Sequence, residues 1–242
     1  MDTLHDMVYF NTIEKDSVGV TSGILFTEFL DAIISKPRNI LILTEDYTGI
    51  KHDTHTQCAY LAYKDAIELY NKDYVKVYSD FVWTEFDKQD SLKTLTREEI
   101  AELYYLRKKW EPINKYYFEK IKNKYFYLSH DDAHSCKVWY KDINDFYSML
   151  GRAVCNKISL MYDLVLKPFG EELVQKINAL NDWGVYLSLR KISIDKDNSV
   201  LIPVYCMEKA PSIDSMYDKV DREIVNPSYY LKYYNKWEII QI

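Results

Sequence analysis

The chain has 242 residues, 48% hydrophobic and 28% charged, with a formal net charge of −6. This composition is ordinary for a folded chain with a sizeable core and excludes long disordered stretches. An acidic balance disfavours nucleic acid and anionic membrane surfaces unless basic residues gather on one face, and six glycines leave little material for phosphate-cradling loops.

Tyr is abundant at 23 residues, and its apolar ring with a polar tip suits half-buried positions and wet interfaces. Lys outnumbers Arg 25 to 6, a bias expected of AT-rich coding in low-GC bacteria, phages and large DNA viruses. Cys58, Cys136, Cys155 and Cys206 lie far apart, so reduced thiols are the default. The opening MDTLHDMVYF has no basic region followed by an apolar run. The most apolar segment, GILFTEFLDAII, carries Glu28 and Asp31 and is too short to span a bilayer. A cytoplasmic or virion-borne chain, without signal peptide or transmembrane segment, is the expectation.

In chain order, Thr21-Ser22 caps a helix through Ile24, Leu25, Leu30, Ile33 and Ile34, which Pro37 stops. NILILT, residues 39–44, is a short buried strand. Ala59, Ala62, Tyr63, Ala66 and Tyr70 share one face of a helix predicted over 54–71. DYVKVYSDFVW alternates through Val75, Val77, Phe81 and Trp83 as a strand, and DKQDSLK follows as a polar loop. Thr96-Arg97-Glu98-Glu99 is a capping box for a helix through Ile100, Leu103, Leu106 and Trp110. Pro112 kinks that helix or starts another through Ile113, Tyr116, Tyr117 and Ile121. YFYLS is a strand, and Asp142 caps a long helix through Ile143, Phe146, Leu150, Val154 and Ile158. PFGEELVQKINAL is helical, and GVYLSLRKISI and VLIPVYCM form a hairpin across the turn DKDNS. A helix through Ile213, Met216, Val220 and Ile224 precedes an aromatic tail. The expected class is α+β: helices mixed with short antiparallel strands, a helical middle and a C-terminal β-hairpin. One domain over 1–242 is expected, any subdivision falling near 128–140.

Three constellations carry chemistry. KHDTHTQC and SHDDAHSC hold four of the five histidines. A pair from each, His52 and His55 with His130 and His134, has the donors of a tetrahedral zinc site, with Asp53, Asp131 and Asp132 beside them. The same residues serve equally as caps and turn formers, and the spacing matches no standard zinc-finger arrangement, so capping is the favoured reading and zinc the alternative. Between Arg107 and Lys124, Lys115, Lys120, Lys122 and Lys124 alternate with aromatic residues. That is the pattern of a single-strand nucleic-acid face, or of a helix that buries its rings and solvates its lysines. The tail sets Tyr229, Tyr230, Tyr233, Tyr234 and Trp237 within nine positions, and Tyr and Trp are the usual anchors of protein interfaces.

Nucleophile elbows, P-loops and dinucleotide fingerprints are missing. The leading expectation is a non-catalytic interaction or assembly protein, such as a phage or viral structural component, with protein partners or self-association and no cofactor. The alternatives are a metal-dependent hydrolase or nuclease on the two His segments and a nucleic-acid-binding module on Arg107–Lys124.

Overall fold

A computed structural model describes residues 6–43, 50–71, 82–109, 114–130, 135–179, 184–207 and 226–242. In chain order these form β1 (Met7–Ile13), β2 (Val18–Ser22), α1 (Phe26–Ala32), β3 (Asn39–Ile42), β4 (Ala59–Ala62), α2 (Tyr63–Asn71) and β5 (Val82–Phe86). There follow α3 (Gln89–Leu92), α4 (Arg97–Lys109), β6 (Tyr125–His130), β7 (Ser135–Tyr140), α5 (Ile143–Tyr162) and α6 (Glu171–Ala179). The chain continues with β8 (Gly184–Ser188), β9 (Ser193–Ile194), β10 (Val200–Met207), β11 (Tyr229–Tyr234) and β12 (Lys236–Gln241). Among the described residues helices and antiparallel strands are present in comparable amounts, so the class is mixed α+β. Among the described residues no helix is long and apolar enough to cross a membrane.

The chain divides into two compact units. The first comprises Met1–Glu14, Gly19–Ile34 and Asn144–Ile242, and the second Lys15–Val18 and Ser35–Ile143. In the first, the strand order is β12-β11-β10-β8-β1-β2, with β9 also on β10. The register sets Tyr9 against Tyr186 and Tyr186 against Tyr205. Met7, Tyr9, Tyr186, Tyr205 and Met207 form one buried cluster, while Val8, Phe10, Val185, Leu187 and Val204, of opposite parity, are buried too. These central strands are covered on both faces, which is why they read as near-continuous apolar runs. Lys157, on α5, is buried and its Nζ lies 2.7 Å from Glu28 Oε1.

The second unit orders its strands β7-β6-β5-β3-β4. Trp83, Tyr125, Tyr127 and Tyr140 are buried in it, with Trp83 and Tyr127 stacked 5.5 Å apart. Thr84 Oγ1 donates to Tyr125 O at 2.8 Å, so a buried hydroxyl is satisfied by the neighbouring strand.

Several local expectations are corrected. Thr21 and Ser22 end strand β2, and α1 starts instead behind Leu25, whose N–H donates to Glu28 Oε2 at 2.8 Å. The helix expected over 54–71 is a turn, a strand and then a helix, because Ala59–Ala62 pair with β3. The polar loop DKQDSLK contains the short helix α3. The capping box is present: Glu99 N–H donates to Thr96 Oγ1 at 3.2 Å and Thr96 N–H to Glu99 Oε2 at 2.9 Å. Behind α4, residues 114–124 are turns rather than a second helix, with Lys122 at φ 58°. The expected helical middle is therefore one helix followed by turns and the pair β6–β7. β8 and β10 pair antiparallel as expected, and β9 continues the β8 side of β10 beyond a 3-10 turn. The expected helix through Ile213–Ile224, and Val75, Val77, Phe81, Trp110 and Ile113, lie outside the described residues.

Candidate functional site

The described C-terminal segment begins at Asn226-Pro227. Ser228 then locks onto β10: its N–H donates to Val204 O at 2.7 Å and its Oγ accepts from Cys206 N–H at 3.1 Å. From there YYLKYY alternates as a strand. Tyr229 and Leu231 are buried at 5% and 0% exposure, whereas Tyr234 is 54% exposed. β11 pairs with β10 from Tyr229↔Val204 to Tyr233↔Val200, so the aromatic tail is an integral strand of the first unit. The chain turns at Asn235, whose φ of 64° is a left-handed conformation that Asn tolerates. β12 then returns antiparallel, with Tyr233↔Trp237 and Lys232↔Glu238 opposed.

Trp237 folds back on its own unit. Its Nε1–H donates to Lys167 O at 2.7 Å, its ring meets Phe169 edge-on at 5.4 Å, and it lies 4.9 Å from Tyr233. A cleft of about 470 Å³ opens here, lined by Phe169, Leu173, Lys176, Tyr233, Lys236 and Trp237. On the opposite parity of β12, Lys236 Nζ and Glu238 Oε1 pair at 2.7 Å. The Lys236 ammonium holds the Glu238 carboxyl below its usual range, and Glu238 raises Lys236 in return. Ile240 and Ile242 are 37% and 77% exposed. Among the described residues β12 pairs only with β11, leaving its outer edge open.

The basic stretch sits in the second unit and is engaged internally. Glu99 Oε1 accepts from Lys115 Nζ at 3.1 Å and Glu99 Oε2 from Lys120 Nζ at 2.8 Å. Burial works to raise the Glu99 carboxyl, but hydrogen bonds from Lys120, the Thr96 amide and Lys115 outweigh it and bring it to about 2. Buried Glu102 accepts from Asn114 N–H at 2.8 Å and Asn114 Nδ2 at 3.1 Å, which ties Asn114 back to α4. Lys124 Nζ donates to Ser35 Oγ, and Lys122 is exposed at its turn. Lys115 Nζ also lies 5.2 Å over the ring of Phe118. Lys115 and Lys120 thus neutralise a carboxylate of the same chain, which reduces what they offer to phosphates.

Of the His segments, Asp53 is the structural pivot. Its Oδ1 accepts from Thr56 N–H at 2.8 Å, Thr56 Oγ1 at 3.1 Å and His55 N–H at 3.1 Å, an Asx turn rather than a helix cap. His55 Nε2 lies 2.8 Å from Leu95 O, and His52 Nδ1 lies 2.9 Å from Ile50 O. His52 bridges the outer side of β4, and His130 ends β6. Four strand spacings separate the two backbones, about 19 Å at the usual interval. The His130 side chain and all of His134 lie outside the described residues. No group of three His, Cys, Asp or Glu suited to a metal occurs among the described residues. Burial pushes the Cys58 thiol up, and the Cys155 thiol up to about 12, opposite to the activation a nucleophile needs.

No protein family, no curated protein and no solved structure matches the chain. Sequence reasoning missed the open edge of β12. The pattern of KWEIIQ behind Asn235 signals a strand, but its place at the edge comes from the strand order of the sheet.

Proposed function

We propose that the protein is a non-catalytic interaction and assembly protein that binds through the outer edge of its C-terminal hairpin. One observation carries this reading: β12 is a six-residue edge strand whose exposed side presents Ile240, followed by Ile242. An open edge with apolar side chains is a template for another strand, and main-chain hydrogen bonds supply the affinity of such additions. Tyr229, Tyr233 and Trp237 serve as the platform that fixes the hairpin, while Tyr234 at the tip and half-buried Tyr230 face outward. Leu160, Met161 and Val165, exposed at 86%, 40% and 96%, add apolar surface to the same unit. The experiment is site-specific photocrosslinking. A benzophenone side chain at Tyr234 is expected to give discrete adducts, in concentrated pure protein or in extract of the native host. The same probe at Tyr105, also exposed, is expected to give none. Absence of any adduct from Tyr234 in both settings would overturn the reading.

A further inference from the structure

We infer that the occupant of the β12 edge is a second copy of this chain, joined edge to edge by a two-fold axis normal to the sheet. This rests on the reading of the hairpin as the binding surface and names its partner. Such an axis reverses strand direction and keeps the two faces of the sheet, so only residues of like parity oppose one another. Four centres overlap three or more strand residues of each copy.

Centring the axis on Glu238 sets two like carboxylates directly opposite, which is destabilising. Centring it on Trp237 overlaps only residues 236–238 of the strand before the turn at Asn235 intervenes, and centring it on Ile240 overlaps only 239–241 before the strand ends. Centring it on Ile239 uses residues 237–241 of both copies. It then pairs Ile239 with itself, Trp237 with the partner's Gln241, and Glu238 with the partner's Ile240. Lys236 falls opposite the partner's Ile242. This register opposes no like charges and covers the exposed Ile240 and Ile242 with the aliphatic stems of Glu238 and Lys236. Each copy keeps its own Lys236–Glu238 ion pair at 2.7 Å. The strand is complementary to itself.

The test is the molar mass of the full chain by sedimentation equilibrium, across roughly 10 to 500 µM, the weak range implied by a short interface. Wild type is expected to shift from monomer to dimer. Ile240→Glu places a carboxylate against Glu238 twice by symmetry and is expected to weaken dimerisation at least tenfold. Ile240→Lys places an ammonium there and is expected to keep it. Adding Glu238→Lys to Ile240→Glu is expected to restore the dimer. Thermal melts of each variant report whether the exposed substitutions leave the fold intact. A wild-type chain that stays monomeric throughout overturns self-pairing, while adducts at Tyr234 with another protein would leave the hairpin's role as a binding surface standing. A folded Ile240→Glu variant that dimerises like wild type, or a folded Ile240→Lys variant that does not, overturns the register.

Discussion

Glu99→Gln separates structural from nucleic-acid use of the basic stretch. The substitution preserves the capping box, because a Gln at the same position accepts equally from the Thr96 amide, but it removes the charge that holds Lys115 and Lys120. The carboxyl stands near 2 against an ordinary 4.5, a difference of about 3 kcal/mol at ~1.4 kcal/mol per pH unit. Both lysines are substantially exposed, at 45% and 37%, so solvent screening reduces this to about 1–2 kcal/mol. The folded carboxyl titrates below the unfolded one. Its stabilisation is therefore complete above pH 4.5 and is lost as pH falls through 4.5 toward 2. Urea unfolding at a series of pH values should show wild type more stable by that margin at pH 7, with the two proteins converging by pH 2. Freed of Glu99, Lys115 and Lys120 should also increase salt-labile binding of single-stranded DNA, measured by fluorescence anisotropy. Parallel stability curves between pH 4.5 and 2 would refute the assignment of these lysines to Glu99.

Three further outcomes are expected. Asp53→Ala removes the acceptor of three hydrogen bonds at a buried turn and should cost about 2 kcal/mol in urea unfolding; an unchanged midpoint would contradict the Asx turn. Gly151→Ala sets a methyl 2.0 Å from Phe169 O, so helix and loop must part, and a loss of about 2 kcal/mol or more is expected; a neutral melt would contradict that close approach. Alkylation at pH 8 followed by peptide mass analysis should modify half-exposed Cys206 first and spare buried Cys58, Cys136 and Cys155 until urea is added. Native labelling of Cys155 ahead of Cys206 would contradict the burial.

Elements with strong local signals were legible in the sequence. The capping box at Thr96 and the long apolar stripe of α5 depend on neighbours within a few residues, and both are present. Where two local readings competed, long-range pairing decided. Ala59–Ala62 suit a helix face, but β3 offers a partner for a strand there, and α2 begins only at Tyr63. Val18–Ser22 alternates as a strand does, yet the capping residues at its end invited a helix. Tyr116, Tyr117 and Ile121 fit helical spacing, while buried Asn123, accepting from Phe118 N–H at 2.7 Å and donating to Tyr116 O at 2.9 Å, holds that segment as turns. In the candidate site the aromatic content was visible but not its division. Tyr229 and Leu231 face inward only because β10 fixes the register of β11. The open edge of β12 follows from the order of strands in the sheet, which no local pattern encodes.

The most direct measurement is amide hydrogen exchange along β11 and β12 as protein concentration rises. The amides of β12 that point outward have no strand partner among the described residues, so they exchange at rates set by association, whereas β11 is held between β10 and β12 at any concentration. Protection of residues 236–242 should increase with concentration while residues 229–234 stay constant, and Ile240→Glu should abolish the increase. Exchange along β12 that is fast and independent of concentration, in a wild-type chain whose β11 remains protected, would contradict association through this edge.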